Sequence, residues 1–326
     1  LDALRFGHWD VAEGFSAAVR SWPPAVSAPI LLELSTDPAL EPARRWLFNH
    51  GVDAAARVDA DHSVFDRLLD HLPASAAVCR EFLQRGAQVG GRGLLARVLE
   101  HAREPGSIEA CLLARDLFER GVDVFGGTAQ FPSALHPAVV AGEVALTRSL
   151  LERGCDPNAR DSRGNTPLHL AVTGDSMATV RLLIAAGANP AVANVCGETA
   201  LGVALARSGE FVRWLTWSNW RLPLRHLRAS DLPDAAARGD VDAVSKLIEL
   251  GLPLDGVDGH GATALIRAAG SGHAALVVRL LDAGAKVEHT THGGVHALAA
   301  AVAGRREAVV RTLLTHRVAA DTRLTG

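Results

Sequence analysis

A glycine returns along this chain at a nearly fixed interval, each time after an apolar stretch of the form L-x-x-x-G or a near variant. Gly51, Gly86, Gly121, Gly154, Gly187, Gly251 and Gly284 are separated by 35, 35, 33, 33, 64 and 33 residues. The step of 64 is two intervals, with Trp220 where the missing glycine would stand; one more step of 33 reaches Arg317. Such a beat means one supersecondary unit stacked repeatedly, because a unit this small cannot bury its own apolar face. The 326 residues therefore divide into nine units ending at these positions.

A second beat runs in phase with the first. Thr166-Pro167-Leu168-His169 opens one unit, Ser133-Ala134-Leu135-His136 stands 33 residues earlier and Thr199-Ala200-Leu201 stands 33 later. Ser230-Asp231-Leu232 and Thr263-Ala264-Leu265 continue it. A Thr or Ser here caps a first helix, helix A, by accepting from a free backbone N–H. Pro167 suits the first turn, where its missing donor is not needed. Leu168 and Ala171 fall on one helical face, and Ala268 and Ala269 let inner helices approach closely. Gly239 and Gly272 make the turn into a second helix, helix B. Gly187 or Gly284 ends helix B in a left-handed conformation that costs other residues about 1–2 kcal/mol. Asn158-Ala159-Arg160-Asp161-Ser162-Arg163-Gly164 then forms a projecting turn, a finger.

With T-P-L-H at this period the chain resembles the ankyrin repeat. Residues 161–188 are similar to it along their whole length; units four to nine match well, the first three in outline. The resemblance implies an all-α ankyrin-repeat solenoid of nine helix-turn-helix units plus a partial N-terminal one. Its fingers and inner helices would form a concave face that binds a protein partner without catalysis. The contacts it implies are the variable positions between signature residues. These are Arg160, Ser162, Arg163, Asn165 and Leu170 in unit five, and Asn194, Cys196 and Glu198 in unit six. Asp258, His260, Arg267, His289 and His292 follow in units eight and nine. His136 and His169 are implied to be structural, hydrogen-bonded in the turn.

The early units keep the pattern with other letters. Ser27-Ala28-Pro29 and Ser63 read as caps of short inner helices. Pro38, Pro73 and Pro105-Gly106 fall at the A–B turn, which makes helix B residues 40–50, 76–85 and 108–120. Residues 4–11 read as the middle of a repeat, with Gly7-His8 at its turn, and residues 320–326 as the entry to another finger. Neither end carries a polar capping repeat, so the natural protein is expected to continue on both sides. The organisation expected is 1–125 divergent repeats, 126–220 regular repeats, 221–230 an irregular junction and 231–326 regular repeats cut at the end.

Trp214, Trp217 and Trp220 stand at three-residue spacing beside that junction. In the register of the preceding unit, Trp214 takes the outward position of Arg181, Trp217 that of Ile184 and Trp220 that of Gly187. Residues 221–228 contain no finger, and the next unit arrives two residues early. One reading is a repacked hinge filled by large rings. The other is a patch of Trp214, Trp217, Trp220 and Arg221 that receives a partner, since Trp and Arg are favoured at interface hot spots, or a small ligand.

Composition limits the alternatives. With 33 basic and 36 acidic residues there is no global basic field for nucleic acid. No apolar run has the length of a membrane span. Two lysines against 31 arginines, with no tyrosine, suggest a GC-rich bacterial coding sequence. Cys79, Cys111, Cys155 and Cys196 form no CxxC pair, which argues for free thiols and favours the cytoplasm. There is no HExxH, GxxxxGK[ST] or GxSxG. Gly90-Gly91-Arg92-Gly93 lacks the Lys-Ser/Thr of a phosphate loop and falls where a finger is expected. His289, His292 and His296, with Asp258 and His260 one finger earlier, have ligand-like spacing, but His296 occupies a cap position. No cofactor or metal is expected. A protein partner is the reading carried forward; a regulatory or targeting arm of a larger enzyme or membrane protein is the alternative.

Overall fold

Repeat eight shows how the local sequence builds each helix pair. The Thr263 hydroxyl accepts from the Ile266 N–H and starts helix Ala264–Ser271. Gly272, at φ 91°, turns the chain into helix Ala274–Asp282, and Gly284, at φ 90°, releases it. Neither helix is long enough to persist alone in water. Ala264, Ala268 and Ala269 are buried where helix A packs against helices Asp231–Ala237 and Ala297–Ala303. Leu276, Val277 and Leu280 are buried on helix B; each such side chain contributes about 1.5–3 kcal/mol. Small residues set the spacing of the inner helices, and large ones fill the layer behind.

The computed structural model describes residues 2–102, 107–207, 209–217 and 219–316. Among them there are 21 α-helices and no strand, only four isolated antiparallel pairs. Nine helix pairs follow a shorter N-terminal one, the first full pair being Pro24–Thr36 with Glu41–Asn49 and the last Ala297–Ala303 with Glu307–Thr315. The chain is an all-α array of stacked helix pairs, divided into two compact units, Leu1–Arg163 and Gly164–Gly326. Pro105-Gly106, Arg317 and 320–326 lie outside the described residues.

In the first unit the partial pair is present: helix Asp2–Arg5, a turn at Gly7 with φ 70°, and helix Trp9–Glu13. Ser63 caps helix Val64–Leu68 through a reciprocal box with Asp66. Pro38 and Pro73 stand at A–B turns, and helices Glu41–Asn49, Ala76–Gln84 and Ile108–Glu119 lie within a residue or so of the expected limits. Ser27-Ala28-Pro29 is not a cap. Helix Pro24–Thr36 runs through it, beginning after the extended Pro23, and Ser27 is buried. Pro24 in the first turn, where no donor is required, is the stronger start.

Successive outer helices of this unit are laced by arginines. Arg44 reaches Glu81 at 2.9 Å, Arg80 reaches Asp116 at 2.7 Å and Glu109 at 2.9 Å, and Arg115 reaches Glu143 at 2.6 Å. The arginine before each terminal glycine reaches back one repeat: Arg120 donates to the Leu83 carbonyl at 2.6 Å and Arg153 to that of Phe118 at 3.3 Å. Each bond adds a second donor to a helix-end carbonyl that already accepts from the terminal glycine, Gly86 to Leu83 at 3.1 Å and Gly121 to Phe118 at 3.0 Å.

Candidate partner-binding groove

In the second unit the fingers are set by one residue, five before each helix A cap. Asn194 Oδ1 accepts from the N–H groups of Cys196 at 2.9 Å and Glu198 at 3.0 Å. Asp258 Oδ1 does the same for His260 at 2.8 Å and Ala262 at 3.1 Å, and the Thr291 hydroxyl accepts from Val295 at 3.1 Å. An antiparallel pair closes each finger: Ala193 with Thr199, Val257 with Thr263, Thr290 with His296. The His292 N–H donates to the His260 carbonyl at 3.0 Å, tying one finger to the next.

The second carboxylate oxygen of Asp258 pairs with Arg267, Nε at 2.7 Å and Nη2 at 2.6 Å. Burial works against its ionisation, but the His260 N–H, the Arg267 guanidinium and the Ala262 N–H outweigh it and hold the carboxyl below its usual range. Behind these fingers, between them and the ends of the inner helices, lies an open groove of about 550 Å³. His260, Ile266, Arg267, Ser271, His292 and Val295 give it its chemistry, with Gly259, Gly270 and Gly293 among its other walls.

The groove brings together three of the expected contacts: His260, Arg267 and His292, with Asp258 behind Arg267. Asn165, Asn194 and Glu198 form a second cluster. There Asn194 Nδ2 donates to Asn165 Oδ1 at 3.0 Å and Glu198 Oε2 at 3.3 Å, beside an exposed Cys196. Leu170 is half-buried on its inner helix, and half-buried His289 does not line the groove. Arg160, Ser162 and Arg163 are exposed in the first unit. His296 Nδ1 caps its helix by accepting from Ala299 at 3.1 Å. Among the described residues no three His, Cys, Asp or Glu side chains gather to hold a metal.

His169 is structural, as expected. Its Nδ1 accepts from the Thr166 N–H at 3.1 Å and its Nε2 faces the Glu198 carbonyl at 3.0 Å. A carbonyl only accepts, so the proton sits on Nε2. Cys79 and Cys155 are buried, which pushes their thiols up to about 12 and about 11; neither supplies a thiolate near neutral pH.

The tryptophans do not form an exposed patch. Trp214 is fully buried and not outward, a correction with a clear cause. The buried set Val180, Leu183 and Ile184 of the preceding helix B recurs as Phe211, Trp214 and Leu215, 31 residues on and not 33. Losing two residues before helix Gly209–Leu215 turns its faces by about 200°, so Trp214 takes the core place of Leu183. The guanidinium of Arg181 covers its ring at 4.6 Å. Trp220 is buried and donates through Nε1 to Asp234 at 2.9 Å, while half-buried Trp217 lies 5.4 Å from it. Only Arg221 is exposed. In place of a finger, the loop after Trp220 is pinned by Arg225 to Asp231 and by the Leu227 N–H to the Ala185 carbonyl at 2.9 Å.

One groove was missed by the sequence reading. In the first unit Asp59 Oδ1 accepts from Asp61 at 2.9 Å and His62 at 2.8 Å, and Oδ2 pairs with Arg67 at 2.7 Å. This is the Asp258–Arg267 arrangement, closed by an Arg57–Ser63 pair. Arg67 first, then His62, hold the Asp59 carboxyl far below its usual range. The finger borders a groove of about 850 Å³ whose other wall is the 88–94 loop. Its signal was an Asp shortly before a Ser cap with an Arg soon after. Gly93 in that loop is held by packing: a Cβ there would stand 2.2 Å from the Gly127 carbonyl oxygen.

Among the described residues no helix is long and apolar enough to cross a membrane. A search of curated proteins finds no match to the chain. The family model for ankyrin repeats in three copies matches residues 133–220 and 232–325, more than half of the chain, and the gap between its two matches is the fingerless junction. Ankyrin repeats are generally protein–protein interaction modules, typically non-catalytic. By these repeats, and by the helix pairs and fingers that carry them, the chain belongs to the ankyrin-repeat family.

Proposed function

We propose that this protein is a non-catalytic scaffold that binds a protein partner through the finger and inner-helix groove of repeats eight and nine. The observation that carries this is the groove itself. It is about 550 Å³, open, and walled by a mixture of aliphatic, hydroxyl and imidazole side chains beside one ion pair. Mixed polar and apolar concavities of this kind suit recognition. His260, Val295 and His292 are exposed there, and among the described residues neither imidazole is tied up by a side-chain hydrogen bond of the fold.

The test is affinity capture of a partner by the full chain, followed by binding to variants. Val295→Asp and His292→Asp in the groove are expected to weaken binding about tenfold or more, and Arg279→Ala on the outer helix to leave it within about twofold. Loss only with Arg279→Ala would contradict the proposal.

A further inference from the structure

We propose that copies of this chain associate head to tail, the last described helix pair of one stacking on the first described pair of the next; the proposal is independent of the groove. A register counted from the left-handed residue between helices A and B carries it. That residue is Gly7 in the first pair, Gly239 and Gly272 in repeats seven and eight, and Arg305 in the last. Four and eight residues further on stand Ala243 and Leu247, Leu276 and Leu280, and Val309 and Leu313, all buried. In the first pair the same two places hold Val11 and Phe15, which are 55% and 62% exposed.

Three residues before the turn the order reverses. Leu4, Ala236 and Ala269 are buried there, whereas Val302 of the last pair is 51% exposed. Leu314, on the outer helix of that pair, is 47% exposed. From repeat eight to repeat nine, helix A stacks on helix A and helix B on helix B. A place exposed only in the first pair therefore faces a preceding neighbour, and one exposed only in the last faces a following neighbour. Solenoid ends are ordinarily polar. These two faces are apolar, and each presents what the other buries inside the array.

Charge runs the same way. On outer helices of the first unit, the arginine six residues before the terminal glycine reaches forward to the next repeat: Arg80 to Glu109 and Asp116, Arg115 to Glu143. Arg311 holds that place on the last outer helix, exposed and with no carboxylate partner among the described residues. Asp10, on the outer helix of the first pair, is exposed and has no cationic partner among the described residues. An incoming first pair brings the carboxylate that Arg311 lacks. Both halves of the stacking contact thus stand on one molecule, which makes a second copy the occupant that each face fits. The contact joins unlike faces and leaves one of each free, so assembly continues beyond two copies.

The test is sedimentation velocity of the full chain from about 1 to about 100 μM. The mean mass should rise with concentration above that of one chain. Phe15→Asp and Val302→Asp, both at exposed positions, should each weaken association about tenfold or more. Mixed together, these two variants should form a one-to-one pair and nothing larger, because each keeps the face that the other has lost. A parent chain that stays monomeric throughout would overturn the proposal. So would a Val302→Asp chain that associates like the parent, which would mean contact between two like faces, and so would a mixture that remains monomeric.

Discussion

Asp240 and Trp220 meet where the chain has lost a finger: Asp240 Oδ2 accepts from the Trp220 N–H at 2.8 Å and from that of Asn219 at 3.0 Å. Its Oδ1 accepts from Ala243 at 3.0 Å and caps helix Val241–Glu249. One buried carboxylate thus fixes both the junction and the next outer helix. Asp240→Ala should cost about 2–4 kcal/mol, a cap together with two charge-assisted bonds. Ser176→Ala, which removes a cap and its bond to the Thr179 hydroxyl but no charge-assisted bond, should cost about 1 kcal/mol. Urea denaturation followed by circular dichroism compares them; equal losses would mean that Asp240 does no more than cap.

Trp214 separates core from surface at the same junction. Trp214→Ala should cost about 3–5 kcal/mol, as for other buried aromatics, whereas Arg221→Ala should stay within about 0.5 kcal/mol. Thermal unfolding reads both. A Trp214→Ala chain as stable as the parent would contradict the two-residue contraction that buries this ring.

The proton of His169 belongs on Nε2, facing the Glu198 carbonyl. Long-range proton–nitrogen NMR should show that tautomer at neutral pH, and His169→Ala should cost about 1–3 kcal/mol by leaving the Thr166 N–H and that carbonyl without this partner. An Nδ1-protonated ring would contradict the assignment.

Asp258 gives a pH signature of defined sign. Its carboxyl is held below its unfolded value, so it adds stability above about pH 4 that is lost as pH falls through the lower folded value. Asp258→Asn should keep the finger, because Asn194 makes the same turn with an amide. It should lose only the charge pairing with Arg267. The stability gap between parent and Asp258→Asn should therefore be present at neutral pH and narrow in acid. A gap that widens toward low pH would reverse the sign.

Most of the fold was legible because each repeat needs the same few devices. Gly51, Gly86, Gly121, Gly154, Gly187, Gly251 and Gly284 all take positive φ between 78° and 94°, the conformation that keeps the beat visible even where T-P-L-H is gone. At Gly187 a Cβ would also stand 2.5 Å from the Arg225 nitrogen, so the junction depends on it too. Burial at Trp214 was not legible, since helix faces follow local residue count and the contraction falls ahead of the tryptophans. The Asp59 finger was hidden because its Asp lies four residues before the cap where Asp258 lies five. Three groove residues were named from position alone; that they share a wall with Ile266, Ser271 and Val295 depends on how neighbouring repeats stack.

Hydrogen–deuterium exchange of the full chain, free and saturated with a captured partner, tests the groove most directly. Exchange is predicted to slow in residues 258–262, 266–271 and 291–295, with the outer helix Ala274–Asp282 unchanged. Protection confined to the outer helices or to the first unit would contradict it.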